Sequence, residues 1–218
     1  MLELIWILDP TTGDLVVEGL EAAEALALAG DLLPVPEDLN CARPLQLMAL
    51  PDFDVAGVPS LRVAGLWHAS VVEGPGRLAC QGCNLGCPGC FVPQTHALDG
   101  GAVVPVDALV QLLLDPSGEP RDGVSVLGGE PFLQPVGLAA LLGRIKARGL
   151  HTTVYTGYTL EALGRRPEPA VRAALQLTDL LIDGPFVAPL SQGAGEWRGS
   201  RNQRLITRPS TVLSSART

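Results

Sequence analysis

Apolar residues along this chain fall into short runs broken by glycine, proline and charge, and their spacing changes character near residue 60. Before that point LELIWIL and LVVEG flank residues 10–14, PTTGD, which predicts a hairpin. LEAAEALALAG then reads as a short helix closed by Gly30, and leucine, alanine and proline alternate afterwards without clear period. From Leu61 onward strand-like runs alternate with helical ones. SLRVAGLWHASVV, RLACQGC, DGVSVLGG, HTTVYTG and TDLLIDG read as strands, and the last has the continuous apolar character of a strand covered on both faces. PVDALVQLLLD, VGLAALLGRIKARG, TLEALGRR and EPAVRAALQL read as helices. Pro105 suits a first helical turn, and Gly149 stops a helix whose last turn is basic.

Such an alternation predicts an α/β fold with a parallel sheet, at least four strand-helix units, and a small N-terminal appendage over residues 1–60 ahead of a core over 61–218. In folds of this kind the loops after the strands share one rim. Four segments fall just after a predicted strand: the cysteine-rich residues 80–90, GGEP at 128–131, TGY at 156–158 and DGP at 183–185. They are expected to converge.

Composition narrows the classes. A chain of 218 residues with 47% hydrophobic and 17% charged residues can bury one good core. A formal charge of -8 argues against nucleic acid and anionic membrane surfaces as partners. The N-terminal apolar run is interrupted by Glu3 and ended by Asp9-Pro10, and no later run reaches about eighteen apolar residues, so the expectation is a soluble cytoplasmic protein with no membrane span. In a reducing compartment clustered cysteines read as metal ligands or redox groups before disulfides.

Four of the five cysteines lie in CQGCNLGCPGC with spacing C-x2-C-x3-C-x2-C, interleaved with Gly82, Gly86 and Gly89. Small residues let the loop curl so that several sulfurs face one point. Structural zinc ribbons separate their two pairs by more than a dozen residues, whereas iron-sulfur clusters tolerate this compactness. Three protein thiolates would leave one iron open. Cys80 reads as a small core side chain, and Cys41 as core or surface filler.

Taken as C-x3-C-x2-C, residues 83–90 resemble the signature of the radical S-adenosylmethionine enzymes. GPG at 74–76, QGCNLGCPGCFVPQTH, LGGEPFLQP, VYTGYTLE, LIDGPF and RGSRNQR, in this order over residues 62–208, resemble the activating proteins of anaerobic ribonucleoside-triphosphate reductase. The segment between Gly76 and Cys83 is a few residues shorter than that family's first strand, and Cys80 falls where the family has an apolar residue.

The resemblance implies a partial (βα)6-type radical SAM barrel. It implies that Cys83, Cys87 and Cys90 hold three irons of a 4Fe-4S cluster, with the amino and carboxylate groups of S-adenosylmethionine on the fourth. It further implies reductive cleavage of S-adenosylmethionine to a 5'-deoxyadenosyl radical, and a glycyl radical made on a partner enzyme, anaerobic ribonucleotide reductase. An electron donor such as flavodoxin or ferredoxin follows. The cofactor-binding residues expected are Gly128, Gly129, Glu130, Pro131, Thr156 and Asp183, with Glu130 or nearby carbonyls facing the amino group and Asp183 orienting cofactor or partner. Arg198, Arg201 and Arg204 are candidates for an acidic partner, and Asn202 and Gln203 for a peptide backbone. His68, His96 and His151, like Trp6, Trp67 and Trp197, read as packing or surface residues. Two other readings remain open: a radical SAM enzyme for another peptide or small molecule, and a non-catalytic iron-sulfur or zinc protein using Cys80 as a fourth ligand.

Overall fold

The structure, a computed structural model, describes residues 6–8, 15–17, 56–67, 77–114 and 122–215. β1 (Trp6–Leu8) pairs antiparallel with β2 (Leu15–Val17), the hairpin expected at the N-terminus. Seven further strands form one sheet: β3 (Ser60–Trp67), β4 (Arg77–Cys80), β5 (Ala102–Pro105), β6 (Gly123–Leu127), β7 (His151–Tyr155), β8 (Leu180–Asp183) and β9 (Arg204–Thr207). Their spatial order is β5-β3-β4-β6-β7-β8-β9. The four central strands β4, β6, β7 and β8 are parallel, and the strands outside them run antiparallel to their neighbours.

Five helices are described: α1 (Val106–Leu113), α2 (Pro135–Lys146), α3 (Leu160–Gly164), α4 (Pro169–Gln176) and α5 (Pro209–Ser215). The connections β6-α2-β7 and β7-α3-α4-β8 are the crossovers that parallel pairing requires. α1 packs on α2, α2 on α4, and α4 on α5. Leu138, Leu141, Leu142 and Ile145 recur at helical spacing along α2 and are fully buried against the sheet, together with Leu109 and Leu113 of α1 and Val126, Val154 and Leu181 of the strands. Gly137 makes this approach possible: a Cβ there would penetrate Ser60 O and stand 2.9 Å from Leu61 Cγ.

The expected parallel strand at residue 61 is corrected. β3 is antiparallel to both β4 and β5, because residues 68–76 make a connection too short for the dozen or more residues of a crossover. β5, β9 and α5 carried no clear signal. β9 shows only one of its four residues shielded, so its sequence lacks the apolar run of a buried strand. After β8 the described chain makes a 3-10 turn at Ala188–Leu190 and returns antiparallel instead of adding another strand-helix unit. The helix expected to end at Gly30 lies outside the described residues.

Gln134 ties the sheet to the cysteine segment. Its Oε1 accepts from Arg62 N at 2.7 Å, while its Nε2 donates to Arg62 O at 3.0 Å and Gln81 O at 3.1 Å. These bonds occupy backbone groups beside the register shift at Val63/Gly65.

Candidate iron-sulfur site

β4 ends at Cys80, and the next ten residues form a loop over the ends of the parallel strands. Within CPGC the Cys90 N–H donates to Cys87 O at 3.1 Å, closing a tight turn. Proline at the second place and glycine at the third, with Gly89 at φ 73°, match what a type II turn requires. Two further bonds hold the base of the loop: Gly82 N–H to Thr95 O at 2.8 Å and Cys83 N–H to His96 O at 3.1 Å. Gln81 donates to Ala97 O at 2.6 Å from beneath.

Cys83, Cys87 and Cys90 are half-buried free thiols lining one cleft. Burial pushes the Cys90 thiol up, the Val92 N–H opposes it, and the charges of Cys87 and Cys83 push it further up. Three thiols that line one cleft would repel one another as thiolates, and a cationic iron centre would relieve that repulsion. The donor set therefore fits a cluster held by three cysteines. Among the described residues no group of three His, Cys, Asp or Glu side chains is set to hold a metal ion. Cubane irons each take a separate thiolate, so the three sulfurs need not meet at one point. Cys80 lies apart from them, fully buried in the β4 core, where burial and then the Glu130 charge push its thiol up to about 12.

Across the cleft stands the loop after β6. Gly128 and Gly129 have φ 66° and 46°. A Cβ on Gly129 would lie 2.6 Å from Gly82 O and 2.8 Å from Cys80 O, so only glycine allows this loop to sit against the cysteine segment. Gly129 N–H donates to Thr95 Oγ1 and Glu130 N–H to Gly82 O, both at 2.8 Å.

Glu130 is completely buried. Its Oε1 accepts from Phe132 N–H and the Thr156 hydroxyl, and its Oε2 accepts from Gly157 N–H, all at 2.9 Å. Burial pushes its carboxyl up to about 7, against the lowering effect of those donors and the Arg166 charge. Glu130 thus bolts the β6 loop to the β7 loop. The expectation that its side chain faces a ligand's amino group is corrected, because all three hydrogen bonds point into the protein. Pro131 is buried behind it at the start of a 3-10 turn.

Asp183 is also fully buried, and its carboxylate is bonded within the protein. Its Oδ2 accepts from Leu160 N–H at 2.7 Å, at the start of α3, and its Oδ1 accepts from Arg204 Nε at 2.8 Å. Arg204 Nη2 also meets Asp183 Oδ2 and reaches Glu161 Oε2 at 2.8 Å, so this arginine is spent inside the fold. Asn202 donates to Pro185 O at 2.7 Å and Gln203 to Gly184 O at 3.0 Å, which shapes the loop after β8. These bonds tie Arg204, Asn202 and Gln203 to the fold, while Arg204 and Asn202 keep exposed surface.

The four rim segments do converge. Cys83, Cys87, Cys90, Gly128, Gly129 and Thr156 line the cleft, whereas Glu130, Pro131 and Asp183 brace it from behind. Thr95, His96 and Phe186 also line it and were not foreseen. The PQTH segment just after Cys90 was the available signal for the first two. His151 is exposed at the start of β7, and Trp197 is 37% exposed. Cys41, His68, Gly74, Pro75 and Gly76 lie outside the described residues. Among the described residues no helix is long and apolar enough to cross a membrane.

A family model described as "4Fe-4S single cluster domain" matches residues 72–206. The anaerobic ribonucleoside-triphosphate reductase-activating protein of Salmonella typhi is 33% identical over 153 residues, covering 66% of this chain and 96% of its own. The protein of the same name in Escherichia coli (strain K12) is 34% identical over 147 residues, 63% of this chain and 92% of its own. The pyruvate formate-lyase-activating enzyme of Clostridium pasteurianum is 36% identical over 107 residues, 44% of each chain. Matched across the cysteine loop and the strand-end loops around the cleft, the chain belongs to the radical S-adenosylmethionine activating enzymes, in the family of the anaerobic ribonucleoside-triphosphate reductase-activating proteins.

Proposed function

We propose that this enzyme cleaves S-adenosylmethionine reductively and generates a glycyl radical on a partner enzyme, the large subunit of an anaerobic ribonucleotide reductase, with a flavodoxin or ferredoxin as electron donor. The observation that carries this reading is the cleft itself: three half-buried thiols on one wall and a two-glycine shelf on the other.

Cys83, Cys87 and Cys90 would each bind one iron of a 4Fe-4S cluster, leaving the fourth for the amino and carboxylate groups of S-adenosylmethionine. The bound cluster supplies the electron that splits the sulfonium bond. The chain's own residues do the rest by position. Gly128 and Gly129 bring bare backbone to the cleft, where carbonyl oxygens can accept from the ligand's ammonium group. Thr156 presents backbone beside them while its hydroxyl is committed to Glu130. Glu130, Pro131 and Asp183 serve by holding these loops at fixed separation.

The four central parallel strands support a partial radical SAM barrel with the cleft at its rim, and residues 1–60 are proposed as an N-terminal appendage up to Ser60, which already begins β3. A cytoplasmic location is part of the same proposal, since a reducing compartment keeps the three cleft thiols unpaired.

The test is anaerobic reconstitution with iron and sulfide, followed by low-temperature electron paramagnetic resonance of the reduced protein. A 4Fe-4S signal that changes shape on adding S-adenosylmethionine supports the reading. Adding the reductase subunit should then produce a glycyl-radical doublet. A signal indifferent to S-adenosylmethionine, or tight zinc binding with no cluster, overturns it.

A further inference from the structure

The residues between the first two cysteine ligands, Asn84, Leu85 and Gly86, form an arch whose only bonds to the cysteine loop itself are covalent. Two contacts reach it from the loop after β7. The Tyr158 hydroxyl meets both ends of the Asn84 amide, accepting from Nδ2 at 2.8 Å and donating to Oδ1 at 3.0 Å. Leu85 lies over Gly157 so closely that a Cβ on Gly157 would penetrate Leu85 Cδ1. Tyr158 is itself held: the Arg166 guanidinium sits 5.9 Å from its ring centroid, and Arg166 donates to Phe132 O at 2.9 Å. Gly157 is held by Glu130.

We propose that Tyr158 and Gly157 are positioning residues for the iron-sulfur cluster, latching the Cys83–Cys87 arch to the rigid end of β7 and so limiting how often the cluster is uncovered to solvent. The inference rests on the assignment of the three cysteines to a cluster. Its logic is local opening. An arch with no hydrogen bonds to its own loop opens as a unit, and its opening equilibrium is set by the few contacts across it. Opening exposes the cluster sulfurs, and exposure governs both oxidative loss and reduction potential. The Asn84–Tyr158 contact is exposed to competing water, so its removal belongs at the modest end of hydrogen-bond effects.

The experiment compares reconstituted wild type with Tyr158→Phe, Asn84→Ala, the double variant and Gly157→Ala. Each is followed for iron content, the rate at which the visible cluster absorbance decays in air, and the resonance line shape after reduction. Tyr158→Phe removes one oxygen from a partly exposed side chain, and Gly157 has no positive φ, so both variants retain the fold. The expected result is full initial iron content with decay about two- to tenfold faster in each variant. Tyr158→Phe and Asn84→Ala should not add in the double variant, since they break the same contact. Wild-type decay in Tyr158→Phe and Gly157→Ala, or additive effects in the double variant, overturns the latch. Failure of the wild type itself to assemble a cluster overturns the cysteine assignment instead.

Discussion

Glu130 offers a quantitative test of how the strand-end loops are joined. It is completely buried, accepts three hydrogen bonds, and has its carboxyl pushed from 4.5 to about 7 by burial. The folded protein therefore holds this proton more tightly than the unfolded chain. Stability contributed by the protonated group is fully present below about pH 4.5 and is lost as pH rises through about 7. A displacement of that size corresponds to about 3 kcal/mol across the window. Glu161, Glu168 and Asp179 are all held below their ordinary values, so their titrations fall at lower pH and do not mask this one. Glu130→Gln keeps the shape and removes the proton. It also turns an N–H toward Gly157 N–H, leaving two buried donors face to face at a cost of about 1–3 kcal/mol. Between pH 5 and pH 8 urea unfolding of the reduced, metal-free protein should show wild type losing about 2.5 kcal/mol more than the variant, so that the variant is the less stable protein at pH 5 and matches or exceeds wild type at pH 8. Parallel pH profiles for the two proteins would falsify the account of Glu130 as a buried, partly protonated bolt.

Three further outcomes follow from contacts already described. In a helix interior glycine to alanine ordinarily gains about 1 kcal/mol, yet Gly137→Ala should lower the melting temperature, because its methyl group meets the Ser60 carbonyl and overpacking costs about 1–3 kcal/mol or more. Arg204→Ala should destabilise by about 2 kcal/mol in urea titration, since it leaves buried Asp183 with only the Leu160 N–H, the value being reduced from that of a sealed ion pair because the arginine is half-exposed. Iron analysis after reconstitution should give wild-type content for Cys80→Ala and a loss of cluster for alanine at Cys83, Cys87 or Cys90; loss on changing Cys80 would revive the four-ligand reading.

Much of this protein was legible in its sequence where the signal is local. Helical spacing of leucines located α1 and α2, and short runs of apolar or β-branched residues next to glycine located β6, β7 and β8, because a helix packed on a sheet repeats at its own period and a strand covered on both faces favours such residues throughout. The C-x3-C-x2-C spacing with its interleaved glycines pointed to the cleft thiols, whereas the equally close Cys80 is set apart from them only because it ends β4 facing the core. Strand direction was not legible. β3 has the composition of any buried strand, and only the short connection to β4 makes it antiparallel. β9 is recognisable only through its pairing with β8, since its side chains are mostly exposed.

The division is the same within the site. Sequence alone determined which residues could carry the chemistry, since thiolates and bare glycine backbone follow from residue type. Tertiary structure decided which way each side chain faces. Glu130 and Asp183 look like ligand-facing carboxylates in the chain, but folding buries both and surrounds them with donors from β7, α3 and β9. A buried carboxylate must find such partners, and those partners are set by which loops meet at the rim, a property of the sheet order that no single stretch of sequence contains.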